Sequence, residues 1–499
     1  MHSKLACDNP ILEYLHSSYG VYCLVSYLKF QQKLLMPLID NFYNHFKKWI
    51  FFIILGIVFL LASLALKKYL GQAVVYILFT LIANALLYLG FRRDAIFFDT
   101  FIGLFFWLGF WLKLTLRLIF TNGHLADSTG HFNGSGAAFD HALLVATCGL
   151  SGLLVVSLLR RYIFFNYPDK MQKISRQGLF FFYINNRRNI ILFFISFFTI
   201  IAISNMALGV YQRGIITQKI LPFGFNGIYK WLLLFGFASF SALILRFESE
   251  ISKNTSLLAI YVSILESFIS SISLLSRGMI LNTSALLYGN FINSKLHAIK
   301  TNIRFWIAAL SIFGSFFICS VFFVNYIRIH NYMPTNSINS INSTSSNISN
   351  LAILDMLPLI SDRWVGMEGV MAVSSYPNLG WNLWQSALSE TYNENETSFY
   401  DLNIIETPYK KTDKTKFHFI SLPGIIAFFF YPGSFLFLFA SMFALGGFAA
   451  IIENLVYRLG GGNVILCALM AQVIAYRFAS FGYVPAQSYL LIGALFLNL

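Results

Sequence analysis

The sequence predicts an all-α polytopic integral membrane protein with about twelve transmembrane helices and one long outer loop late in the chain. Three observations predict it. The chain is 57% hydrophobic and only 11% charged, against roughly 25% charged for soluble domains. Its apolar residues fall in runs of membrane-spanning length with short loops between them. Its basic residues, which give a formal net charge of +14 over 499 residues, sit in those short loops. That pattern fits insertion topology and anionic lipid, and no nucleic-acid partner is expected.

Residues 1–48 carry no sustained period and no long apolar core of a signal peptide, so they read as a cytoplasmic segment, with Met36 a second candidate start. The N-terminal bundle, residues 49–326, follows. Its spans are expected over Trp49–Leu66, Leu70–Phe91, Ile96–Phe120, Phe139–Leu159, Asn189–Leu208, Lys230–Leu245, Ser256–Leu275, a short Met279–Ile292, and Ile303–Tyr326. The outer loop occupies residues 327–420. The C-terminal spans, within 421–499, are Leu422–Gly447, Asn463–Arg477 and Tyr483–Asn498.

Orientation follows from the basic residues. The loop from Arg160 to Arg188 holds Arg160, Arg161, Lys170, Lys173, Arg176, Arg187 and Arg188, whereas Thr121–Ala138 holds no Lys or Arg. The first is therefore inside and the second outside. Counting spans from there puts Arg92 and Arg93 inside, both termini in the cytoplasm and the long loop outside. Lys67 and Lys68 fall outside against the rule, and the loop's side depends on Met279–Ile292 being a separate span.

Within the long loop, Thr335–Asn350 is an uncharged Ser, Asn and Ile tract that reads as a connector. Beyond it, Asp362 to Val373 places Trp364, Met367, Val370 and Met371 at helical spacing beside Arg363 and Glu368. After Pro377, Trp381, Trp384 and Leu388 repeat the pattern. Two short amphipathic helices on a membrane surface are expected, since Trp favours the lipid–water boundary.

Ionisable residues inside spans are costly and mark sites by default. Asp99, Lys113 and Arg117 share the third span, with Lys113 and Arg117 on one face near the outer end; the bland alternative is snorkelling to the headgroups. Ser276-Arg277-Gly278 ends a helix rich in Ser that also carries Glu266, with Gly278 available for a tight turn. Arg277 is otherwise a hairpin cap. Tyr211-Gln212-Arg213-Gly214 forms an outer loop, and Arg477 stands in the last outer hairpin, where it joins the other cations or marks the interface. Arginine presents a planar fork suited to phosphate oxygens, so several together would clamp a diphosphate. Glu368 beside Arg363 supplies a carboxylate for proton abstraction, or else the two are an i to i+5 pair of solvated charges. The five cysteines are scattered, His124, His131 and His141 match no metal motif, and no phosphate loop or dinucleotide fingerprint is present. No cofactor is expected, and no metal site.

The order along the chain of Leu108-Gly109-Phe110-Trp111-Leu112-Lys113, Tyr211-Gln212-Arg213-Gly214, Ser276-Arg277-Gly278 and Arg363-Trp364-Val365-Gly366-Met367-Glu368-Gly369 resembles the Wzy-type polymerases that join lipid-linked repeat units of O-antigen and capsule. The resemblance covers about residues 49–499. It implies a metal-independent glycosyltransferase of the bacterial inner membrane whose donor is a polyprenyl-diphosphate-linked oligosaccharide, with a chain-length regulator and a flippase as possible partners. On this reading Glu368 and Arg277 are catalytic, and Arg213, Arg363, Lys113, Arg117, Arg477 and Trp364 bind diphosphate and glycan. An O-antigen ligase-like transferase shares this topology, and a lipid-linked oligosaccharide flippase is the reading from another class.

Overall fold

In a computed structural model, the residues described are 49, 52–163, 165–168, 178–252, 256–296, 303–332, 363–392, 397–405 and 417–496. The expectations for residues 1–48, for Thr335–Asn350 and for Asp362, Lys170, Lys173 and Arg176 lie outside them. The chain divides into two compact units, Met1–Lys67 and Lys68–Leu499. The first contains helix α1, Phe52–Leu66.

The second unit is helical. Its N-terminal part runs through α2 (Ala73–Gly90), α3 (Phe97–Thr121), α4 (Gly136–Ile163), α5 (Leu179–Leu208), α6 (Pro222–Ile251), α7 (Leu257–Ser273), α8 (Ile280–Leu296) and α9 (Ile303–Tyr332). Three short helices follow, α10 (Met367–Ser374), α11 (Trp381–Leu388) and α12 (Phe399–Asn403). The C-terminal part is α13 (Ile425–Phe429), α14 (Phe435–Leu459), α15 (Val464–Ala479) and α16 (Pro485–Leu495). Among the described residues, α2 to α6, α9 and α14 are the seven helices long and apolar enough to cross a membrane. α1, α7 and α15 are shorter apolar helices.

Small residues let these helices approach closely, as packing in a lipid solvent favours. A side chain at Gly103 would press on the Leu86 carbonyl between α3 and α2, and one at Gly152 on the Phe439 carbonyl between α4 and α14. α15 is central. It packs on α3, α6, α8 and α14, and most of its residues are buried.

Four stretches differ most from the sequence expectation, and the first is α6, which runs from Pro222 to Ile251, past both expected ends at Lys230 and Leu245. α5 begins at Leu179, ahead of the predicted Asn189, because Arg187 is held within the helix by Glu248 at 2.6 and 2.7 Å, and the helix kinks at Asn186 (φ −116°, ψ 20°). The run Leu422–Gly447 does not form one span. Pro423 and Gly424 (φ 80°) precede the buried helix α13, and a turn through Pro432 and Gly433 (φ 75°) separates it from α14. α9 continues past Tyr326, to Tyr332.

One end of the bundle is held by buried carboxylates. Asp99 Oδ2 accepts from Ser157 at 2.9 Å and from Arg160 Nε and Nη2 at 3.1 and 2.9 Å. Glu453 on α14 accepts from the backbone N–H of Phe97 and Phe98 at 2.8 and 2.9 Å, so it caps the start of α3, and Tyr167 donates to it at 2.6 Å. Asp99 therefore does not group with Lys113. The two sit at opposite ends of α3, about 21 Å apart along the axis at 1.5 Å per residue.

Candidate functional site

At the other end of the bundle, α3 contains a π-helical turn, Trp107–Leu112, immediately before Lys113. Such a turn re-aims the residues that follow it and recurs at functional sites. Lys113 does not snorkel. It is fully buried, and its ammonium donates to Glu368 Oε1 at 2.7 Å and to the Trp364 carbonyl at 3.0 Å, with Asp127 Oδ2 at 3.9 Å. Glu368 is thus no solvated partner of Arg363. Burial pushes its carboxyl above the usual carboxylate range, and the Lys113 charge opposes that rise. Its second oxygen, Oε2, is buried and has no partner in another residue among those described.

Glu368 stands in the first turn of α10, and this helix is not interfacial. Residues Met367–Val373 are all buried. Glycines explain the difference. A Cβ at Gly366 would strike the Gly109 backbone, one at Gly109 the Val365 carbonyl, and one at Gly369 the Pro423 carbonyl, so backbone meets backbone and the segment sinks between α3 and α13. α11 keeps an exposed face, with Trp381 52% exposed, while Trp381 and Trp384 both pack on Phe437 of α14.

The turn from α7 to α8 supplies the cations. Its left-handed residue is Leu275 (φ 49°), and Gly278 has no positive φ. Gly278 instead leaves room: Arg363 Nη2 and Arg213 Nη1 come within 3.5 and 3.6 Å of where its Cβ would stand. Two guanidinium groups from distant parts of the chain converge there, next to Arg277. Backbone bonds fix the arrangement. Arg213 N–H donates to the Leu274 carbonyl at 2.9 Å, and His418 N–H to the Gly214 carbonyl at 3.2 Å. Arg328, at the end of α9, donates from Nε to the Leu275 carbonyl at 3.1 Å and from Nη2 to the Arg213 carbonyl at 3.5 Å. The far ends of α7 and α9 therefore meet, and α8 runs away from the site for α9 to return.

Beneath the arginines lies an aromatic floor. Trp364 stacks on Phe105 with centroids 5.6 Å apart, Tyr476 meets Phe105 edge-on at 5.8 Å, and the Arg363 guanidinium stands 5.9 Å from the Trp364 ring. The Arg363 guanidinium also stands near enough to the Tyr476 hydroxyl to act on it electrostatically. Arg477 donates to Ser488 Oγ at 2.9 Å and to the Tyr483 carbonyl at 3.3 Å, which holds the α15–α16 turn beside this floor. Arg117 is half-buried one turn beyond Lys113, and its carbonyl closes the helix end by accepting from Gly123 and Thr121.

The structure thus brings together Arg213, Arg363 and the Arg277 turn, and places Glu368 with Lys113 and Trp364. Asp127, Arg328 and Tyr476 were not singled out from the sequence. For Arg328 a signal existed, a lone cation closing an apolar run at the mouth of the long loop. Convergent guanidinium groups favour an anion with several oxygens, and a buried carboxylate with one open oxygen can take a proton. Comparison with family models, curated proteins and solved structures finds no match to this chain.

Proposed function

We propose that this protein is a membrane glycosyltransferase that polymerises polyprenyl-diphosphate-linked oligosaccharide repeat units into a surface polysaccharide. In this reading the chain crosses the cytoplasmic membrane of a bacterium about twelve times, both termini are cytoplasmic, and the arginine end faces outward. The observation that carries it is the convergence of Arg213 and Arg363 on Gly278, within one turn of Arg277.

The acceptor hydroxyl gives its proton to Glu368 Oε2 as its oxygen bonds to the donor's anomeric carbon. The bond from that carbon to the diphosphate oxygen breaks, and the negative charge that develops there is met by Arg213, Arg277 and Arg363. Arginines supply fixed positive charge at the leaving group, the role a metal fills in other transferases. Lys113 is committed to Glu368 and acts by positioning it. Trp364 and Phe105 offer stacked rings to the sugar or to the headgroup region.

The test is a gel of surface polysaccharide from cells lacking the gene, complemented with wild type or Arg277→Ala. Deletion is expected to leave single repeat units, and Arg277→Ala to fail to restore the ladder although the protein reaches the membrane. An unchanged ladder after deletion would remove the reading. Accumulation of long lipid-linked chains without transfer would replace it with a ligase.

A further inference from the structure

Close to Glu368 the same loop carries a second set of buried polar groups that the proposed chemistry does not use. Asp401 on α12 is 1% exposed. Its Oδ2 accepts from the Ser398 hydroxyl at 2.7 Å and the Ser421 N–H at 2.9 Å, while Oδ1 is buried with no partner among the described residues. Tyr431, which follows α13, is also 1% exposed. Its carbonyl accepts from Gly380 N–H at 2.9 Å and its ring packs on Phe428 at 5.2 Å, yet its hydroxyl has no partner among the described residues. Tyr400 lies on α12 next to Asp401, and its hydroxyl is within electrostatic reach of Tyr431, Glu368, Asp401 and Asp127. Three buried oxygens, Glu368 Oε2, Asp401 Oδ1 and Tyr431 Oη, are thus open in one neighbourhood.

A structural carboxylate in this loop looks different. Glu390 spends both oxygens on backbone N–H groups, those of Phe399 and Val484. Leaving a buried oxygen unpaired is costly, and each of the three belongs to a residue within electrostatic reach of the Tyr400 hydroxyl, a grouping suited to a polar ligand. Burial first, and then the neighbouring acids, hold the Tyr400 and Tyr431 phenols protonated. The neighbourhood therefore offers both carboxylate acceptors and phenol donors.

We propose that Glu368, Asp401, Tyr400 and Tyr431 form a seat for the uncharged, hydroxyl-rich sugar of the acceptor, on the carboxylate side of the site and away from the arginines. This rests on the glycosyltransferase reading for the word acceptor, though the seat itself is a statement about binding. Sugar hydroxyls both donate and accept, so they can satisfy carboxylate and phenol together, and one of them would stand at Glu368 Oε2.

The seat is tested with the purified full chain in nanodiscs, titrated calorimetrically with the repeat-unit oligosaccharide released from the producing cells without lipid or phosphate, and separately with inorganic diphosphate. The Tyr431 hydroxyl has no partner among the described residues, so Tyr431→Phe is expected to melt as wild type does. It is expected to weaken oligosaccharide binding about tenfold, the effect of one lost hydrogen bond to an otherwise unpaired group, and to leave diphosphate binding unchanged. Asp401→Asn, which keeps the side-chain shape, is expected to do the same; Arg213→Ala is expected to weaken diphosphate alone. Wild type that takes up no oligosaccharide, or two folded variants that bind it as wild type does because only water fills the seat, would overturn the proposal. Either result leaves the surface-polysaccharide test standing. Conversely, oligosaccharide binding that depends on Tyr431 in a protein whose deletion leaves the ladder intact keeps the seat and removes the polymerase.

Discussion

Lys113 Nζ lies 2.7 Å from Glu368 Oε1, a contact between a transmembrane helix and a loop helix 255 residues further on, with the two side chains 0% and 7% exposed. A buried pair of this kind is weak evidence of net stability, but removing one partner leaves an uncompensated charge. Lys113→Gln is expected to cost about 3–5 kcal/mol at neutral pH. Without the ammonium the folded-state Glu368 carboxyl titrates still higher, so the neutral form is favoured. The cost is then smallest below the unfolded carboxylate value, where Glu368 is protonated in both states, and grows as pH rises through the folded one. Thermal unfolding of the purified variant at two pH values checks both the size and the sign.

On the proposed mechanism the same carboxyl is expected to set a pH dependence of transfer. Burial holds Glu368 above the usual carboxylate range, and only the ionised form can accept the acceptor's proton. The acid limb of the rate profile is expected to sit above the range of an exposed glutamate. In Lys113→Gln it is expected to move to higher pH, since the charge that opposed the rise is gone. Rates on isolated lipid-linked donor across the acid range read this directly, and a limb that stays put would assign the base elsewhere.

Gly369→Ala is expected to abolish transfer while leaving the bundle inserted in the membrane. A Cβ there runs into the Pro423 carbonyl, a backbone atom that cannot turn aside, so α10 must shift and carry Glu368 with it. Gly380→Ala is the contrast, because nothing lies within 4 Å of its Cβ position. Comparing the two by membrane yield and by polysaccharide ladder separates displacement of the site from loss of the protein.

Glu453→Ala is expected to destabilise the bundle by about 2–4 kcal/mol, because two backbone donors at the start of α3 and the Tyr167 hydroxyl lose their acceptor together. These groups stand at the end of α3 remote from Lys113. Activity per folded molecule should therefore stay near wild type, which a ratio of transfer rate to folded protein measures.

Much of the helical fold was legible in the chain because a bilayer imposes its own period. Long apolar runs bounded by charges read as helices, and helices lie there, although Arg187 shows that a paired cation need not end one. The site was legible in its residue types and less so in its contacts. Spacing along α3 placed Lys113 and Arg117 on one face but said nothing of Glu368, whose partnership is made by tertiary packing. Membership of one span grouped Asp99 with them, although helix rise alone carries it some 14 residues down the axis from Lys113, about 21 Å. α10 read as amphipathic because its Met and Val residues sit beside Arg363 and Glu368. What buries it is Gly366 and Gly369, residues that contribute almost nothing to an apolar face. Gly278 was expected to turn the chain, whereas the left-handed position is Leu275 and the glycine clears space for two guanidinium groups.

The meeting of Gly109 with Gly366 has a consequence for engineering. The backbone that carries Glu368 is held in register by main-chain atoms, which no change of neighbouring side chain removes. If the proposed transfer holds, the aromatic floor at Phe105, Trp364 and Tyr476 can be recut to suit a different glycan while the α10 backbone keeps its place, and selectivity would then be separable from chemistry by design.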